Sequence, residues 1–197
     1  MGSYINIGIV YSDKSVYKLN SDLHTITKAL LPLCDKIVIN YPRDYSYKNW
    51  EEKLFVGEKG LVKAFEILNT KQMSFGKICC KSHNSDIHIL VSIRSNGDLY
   101  RGILFEVSEK ELLQENYSIE NLNNVEDNII KKLLELWSNT EFSYAFCDSD
   151  AEIKYQIIEL EHSEEAIYSM LLLKNNFNQP IVKLSSWCID GITPRNG

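Results

Sequence analysis

The carboxylates Asp148, Asp150 and Glu152 alternate within five positions, and Glu159 follows seven residues later. Together they fill positions 1, 3, 5 and 12 of a helix-loop-helix calcium loop, whose oxygen ligands would come from those side chains. The sixth position of such a loop needs glycine for its sharp turn, and this chain has Ile153 there, a β-branched residue costly in that geometry. The spacing therefore predicts a solvated acidic turn between strands and no calcium. Cys79 and Cys80 lie near His83 and His88, which are zinc-ligand types. Adjacent strand residues point to opposite faces, and the spacing matches no common zinc pattern, so neither a metal nor a cofactor is expected.

The remaining catalytic signatures are missing. The chain has no G-x-S-x-G elbow, no glycine-rich phosphate loop, no H-E-x-x-H and no dinucleotide fingerprint. His24, His83, His88 and His162 stand in unrelated contexts, so no catalytic residue is assigned and no enzyme is expected. One alternative stays open: an enzyme or metal-dependent protein in which Asp148, Asp150 and Glu152 converge with a distant histidine for acid-base or metal work. An ordered metal or a deep polar pocket at the turn would favour that alternative, and a broad acidic or aromatic face without a cavity would favour a binder.

These residues must be positioned by the elements around them. Tyr4 to Tyr11 alternates and is rich in β-branched residues, as an opening strand should be. Val16, Leu19, Leu23, Ile26, Leu30 and Leu33 recur at helical spacing, with Pro32 limiting the helix. Lys36 to Tyr41 predicts a strand, Pro42 to Gly57 a loop, and Leu61, Val62, Phe65 and Leu68 an amphipathic helix. Ile87 to Ser95 and Asp98 to Val107 flank Asn96-Gly97, the signature of a two-residue hairpin turn. That turn would set Ile93 opposite Tyr100, Ile89 opposite Leu104 and Leu90 opposite Ile103, with Phe75 to Ser82 paired alongside.

Asn123 or Asn124 is the expected cap of a helix with Glu126 and Asp127 in its first turn and a stripe of Val125, Ile129, Leu133, Leu136 and Trp137. Burial of Trp137 there would make its replacement by Ala cost ~3 to 5 kcal/mol. Glu141 to Asp148, Lys154 to Leu160 and Ile181 to Ile189 read as strands, and Glu164 to Leu172 as a short helix. Strands grouped in runs predict an α+β protein with a mixed or antiparallel central sheet and packed amphipathic helices. With 197 residues and no linker, a single domain over 1–197 is expected.

Composition is globular, at 44% hydrophobic and 24% charged residues. No leader and no membrane-spanning run is visible, and five cysteines without framework spacing fit reduced thiols, so a cytoplasmic location without membrane association is expected. Charge is strongly segregated: residues 106–165 hold sixteen acidic and four basic side chains, a local net charge of −12, whereas the remainder carries +6. Such a field repels nucleic acid and attracts a basic protein surface, although the same acids also solvate helix faces and loops. A second candidate surface is the stretch 41–50, where Tyr45, Tyr47 and Trp50 accompany Arg43, all residue types enriched in interface hot spots. In the alternative reading Trp50 folds back over the core.

The opening Gly2-Ser3-Tyr4-Ile5-Asn6-Ile7-Gly8, the Asn-Gly hairpin, and Phe142-Ser143-Tyr144-Ala145-Phe146-Cys147-Asp148 resemble the small immunity proteins of bacterial polymorphic toxin systems, in particular the immunity family numbered sixty-four. The resemblance implies an antidote that binds a cognate toxin domain, often a nuclease, and blocks it by protein-protein contact. It carries over no catalytic residues. Toxin contacts are expected at Asp148, Asp150 and Glu152, with Tyr45, Tyr47 and Trp50 as an anchor.

Overall fold

The computed structural model describes residues 3–195 except 13–14, 16–17, 31–33, 44–47, 71–76, 83–84, 97–98, 114–116, 164–165 and 175–178. Among these residues nine strands and five helices follow in the order β1 (Tyr4–Ser12), α1 (Leu19–Leu30), β2 (Cys34–Pro42), β3 (Trp50–Val56), α2 (Gly57–Thr70), β4 (Lys77–Ser82), β5 (Ser85–Asn96), β6 (Tyr100–Ser108), α3 (Glu109–Leu113), α4 (Ile119–Trp137), β7 (Tyr144–Ser149), α5 (Ile157–His162), β8 (Met170–Lys174) and β9 (Pro180–Leu184). The strands form one sheet in the order β3-β2-β4-β5-β6-β1-β7-β8-β9. Every pairing is antiparallel, which makes the protein α+β.

Strand alternation sorts the apolar residues onto two faces. On the first face, Ile5, Ile7, Ile9 and Tyr11 of β1 lie with Ile89, Val91 and Ile93 of β5 and with Ile103, Phe105 and Val107 of β6. Helices α1 to α4 close this core with Ile26, Phe65, Leu113, Ile129 and Leu133 among their buried residues. Its polar seam is Asp22, whose carboxylate accepts the Tyr11 hydroxyl at 2.8 Å and the Glu141 amide at 2.8 Å, tying α1 to β1 and to the entry of β7. On the second face, Val10, Leu104, Tyr144, Phe146, Leu171 and Leu173 are covered by Ile153 and by Leu160 of α5. The cover lies over the β6-β1-β7-β8 half of the sheet.

Two glycines let this second layer sit directly on the sheet. A Cβ at Gly8 would stand 2.1 Å from the Phe146 ring, and one at Gly102 would meet Ile153 at 2.7 Å. The Phe146 ring lies across Gly8 and stacks on Tyr168 with centroids 4.0 Å apart.

Several elements differ from the sequence-based expectation. The stretch 42–57 is not a loop throughout: Trp50–Val56 is the edge strand β3, in unbroken register with β2. Its charged and apolar residues do not alternate cleanly, which conceals the period. The β5-β6 hairpin pairs Asn96 with Tyr100, Ile93 with Ile103, Ile89 with Val107 and Leu90 with Glu106, so three residues rather than two separate the paired positions. Burial decides this register. It aligns Ile89, Val91 and Ile93 with Val107, Phe105 and Ile103 in one apolar band, which the two-residue turn would have set against the opposite face of β6.

Lys154 to Leu160 is not a strand, because Ile157–His162 forms α5, with the Glu159 carboxylate accepting the Gln156 amide at 2.7 Å. The helix expected over Glu164 to Leu172 is absent from its described residues, 166–172; Met170–Lys174 is β8, with Met170 to Leu173 buried on both faces, and a continuous apolar run of that length reads equally well as helix or strand. Strand β9 stops at Leu184, short of the expected Ile189. Helix α4 begins at Ile119, where the Ser118 hydroxyl oxygen accepts the Asn121 amide at 3.1 Å, and so starts a turn before the expected asparagine cap. Trp137 is half-buried, edge-on to the buried Phe142 at 5.2 Å.

Candidate functional site

The acidic turn follows directly from the end of β7. Asp150 adopts φ 47°, a left-handed conformation that Asp tolerates better than most side chains. Its amide donates to the Tyr4 carbonyl at 2.8 Å and its Oδ1 accepts the Tyr4 amide at 3.0 Å, so Asp150 locks the start of β1 to the turn. Asp148 Oδ1 accepts the Ser149 amide at 2.8 Å and the Ser169 hydroxyl. Both aspartates line an open depression of about 590 Å³ together with Tyr168, Trp187, Asp190 and Ile192. Trp187 and Ile192 are 49% and 73% exposed there, which leaves an apolar rim beside the carboxylates.

The far wall of the depression is built by the C-terminal segment. Glu126, 2% exposed on α4, accepts the Ile189 amide at 2.8 Å and holds Arg195 in a two-pronged ion pair. Gly191 takes φ 73° against Ser149, a conformation that favours glycine. Asp190 is buried, and its carboxylate accepts the hydroxyls of Tyr117 and Thr193 and the amides of Ile192 and Thr193. Burial pushes the Asp190 carboxyl up, but these donors outweigh it and hold the group below the usual carboxylate range.

Glu152 is not part of the depression; it turns towards Arg94 of β5, 3.5 Å away. Trp50 does not fold back over the core but stands 49% exposed at the start of β3, on the same sheet face as Asp148. Six strand steps separate β3 from β7, or roughly 30 Å at about 4.8 Å per step, so Trp50 and the acidic turn are two separate places on the protein. Tyr45 and Tyr47 lie outside the described residues. Asp190, Trp187 and Ile192 were not distinguished by the sequence. The signal for them was Asp190-Gly191, a turn pair directly after the stretch readable as strand up to Ile189.

The described histidines are engaged elsewhere. His24 pairs with Glu58 and His88 with Glu111, each at 3.0 Å, and the His162 ring contacts the Ile158 carbonyl at 2.7 Å. His83 lies outside the described residues. Cys147 is fully buried, and burial pushes its thiol well up, which makes it a core residue and a poor nucleophile. Among the described residues no group of three or more His, Cys, Asp or Glu side chains is arranged to hold a metal ion. Nor is any described helix long and apolar enough to cross a membrane.

The site thus sets carboxylates beside an apolar and aromatic rim at one end of an antiparallel α+β sheet. The family model described as Immunity protein 64 matches residues 1–195, and the chain belongs to that family. No curated protein and no solved structure matches the chain.

Proposed function

We propose that this immunity protein binds a cognate bacterial toxin domain in the cytoplasm and neutralises it by occupying a basic surface, such as the phosphate-gripping cleft of a nuclease. The observation that carries this reading is the depression beside β7, where Asp148 and Asp150 meet exposed Trp187 and Ile192. It lies against the segment 106–165, whose net charge is −12. Enzymes that hold nucleic acid present clustered Lys and Arg, and an acidic inhibitor meets such a cleft with a complementary field. The aromatic and aliphatic rim supplies the apolar contact that an interface needs at its centre.

Glu152 contributes to the field from beyond the depression, and Trp50 is too distant to share its centre. Neutralisation by contact requires no chemistry from the immunity protein, only exclusion of the toxin's substrate. The test is co-expression with a toxin domain encoded by a neighbouring gene. A stable complex should co-purify and the cells should survive; a chain that neither binds nor protects contradicts the proposal.

A further inference from the structure

The two edges of the sheet are unlike. Strand β9 is short and opens with Pro180, and its Lys183 Nζ reaches across to the Ser163 carbonyl at 3.3 Å, all features that blunt an edge. Strand β3 has seven residues, no proline, and a register with β2 that runs without a bulge from Val56 opposite Lys36 to Trp50 opposite Pro42. No described strand lies beyond it. On the second face its Trp50, Leu54 and Val56 are 49%, 58% and 73% exposed. A regular edge carrying three large apolar residues is a template for another strand.

The order of residues along β3 points to what that strand is. In an antiparallel pair with a second copy, the register that sets Glu52 opposite itself also sets Trp50 opposite Leu54 twice and Glu51 opposite Lys53 twice. Glu51 and Lys53 already face each other within the strand at 3.1 Å, with Lys53 above the Tyr41 ring, so the pairing would interlace four alternating charges on the first face. Sliding the register by two residues places either Lys53 or Glu51 against its own copy and breaks the charge match. The matched register has one cost, Glu52 opposite Glu52 on the solvent side, where repulsion is screened. We propose that β3 is a self-association edge, pairing antiparallel with β3 of a second copy to join two sheets about a twofold axis. A foreign strand would need no such symmetry of charge.

The purified full-length chain tests this by sedimentation velocity over a concentration series reaching about 100 μM. A concentration-dependent dimer is expected. Leu54→Lys should leave only monomer, and Glu51→Lys should weaken the dimer roughly tenfold, since both symmetry-related charge pairs become repulsive. The double variant Glu51→Lys with Lys53→Glu should recover most of that loss, because it rebuilds both pairs in reverse. Lys53 and Leu54 are exposed and Glu51 is half-buried on this edge strand, and circular dichroism verifies the fold. A wild-type chain that stays monomeric, a dimer indifferent to Leu54→Lys, or a swap no better than Glu51→Lys alone overturns the proposal. So does a monomer whose toxin binding is lost in Leu54→Lys, which would give the edge to a foreign strand. Replacing Asp148, Asp150 and Glu152 leaves the dimer unchanged, so the two surfaces are tested independently.

Discussion

At the scale of single residues, close approach and hydrogen bonding place the site more than charge does. Gly8 allows the Phe146 ring to cross β1, and a methyl group there would stand 2.1 Å from it. Gly8→Ala should therefore destabilise the fold by about 1 to 3 kcal/mol, read by chemical denaturation; a loss below about 0.5 kcal/mol would mean that the second layer shifts freely. Asp190 gives a prediction with a pH sign. Its folded carboxyl titrates below its unfolded value, so the stability it contributes is present above the unfolded range and is lost as pH falls through the folded one. Asp190→Asn should remove that part of the acid limb, and thermal melts from neutral pH downwards should converge for the two proteins. Parallel curves would contradict the assignment. None of this was legible in the sequence, because Gly8 and Asp190 owe their roles to neighbours more than 100 and 70 residues away, Phe146 and Tyr117.

At the scale of elements, legibility followed the clarity of the local period. β1, β2, α2 and the centre of α4 were readable because their apolar residues fall on one face at one spacing. β8 was not, since Met170 and Leu172 enter one core and Leu171 and Leu173 the other, leaving a run without a period. The hairpin was visible as a pair of strands, but its register was set by matched burial across β5 and β6, which a turn signature does not contain. The acidic turn follows β7 as expected but leads into α5 and not into a strand, and the depression it borders needs the C-terminal segment, fixed by Glu126 and Arg195 from distant parts of the chain. Trp137 is half-buried against Phe142, less enclosed than its helical spacing suggested. Trp137→Ala should therefore cost about 2 to 3 kcal/mol, below the full range for a buried aromatic, and a loss near 5 kcal/mol in equilibrium unfolding would contradict that packing.

At the scale of the whole molecule, the sheet carries an acidic, partly aromatic depression towards one end and an apolar edge strand at the other. The chain belongs to the Immunity protein 64 family, and the charge segregation gives the proposed partner its sign. In the proposed complex the carboxylates around the β7 turn guide the toxin to this surface. The most direct test is stopped-flow association of the toxin domain with wild type and with the Asp148→Asn, Asp150→Asn, Glu152→Gln triple variant as ionic strength is raised. Amides preserve the acceptors that hold the Tyr4, Ser149 and Ser169 contacts while removing three charges. Wild type should associate fast at low salt and slow steeply as salt screens the field, and the variant should start roughly tenfold slower with a flatter dependence. A folded variant that associates at the wild-type rate, with the same dependence on salt, would contradict the account.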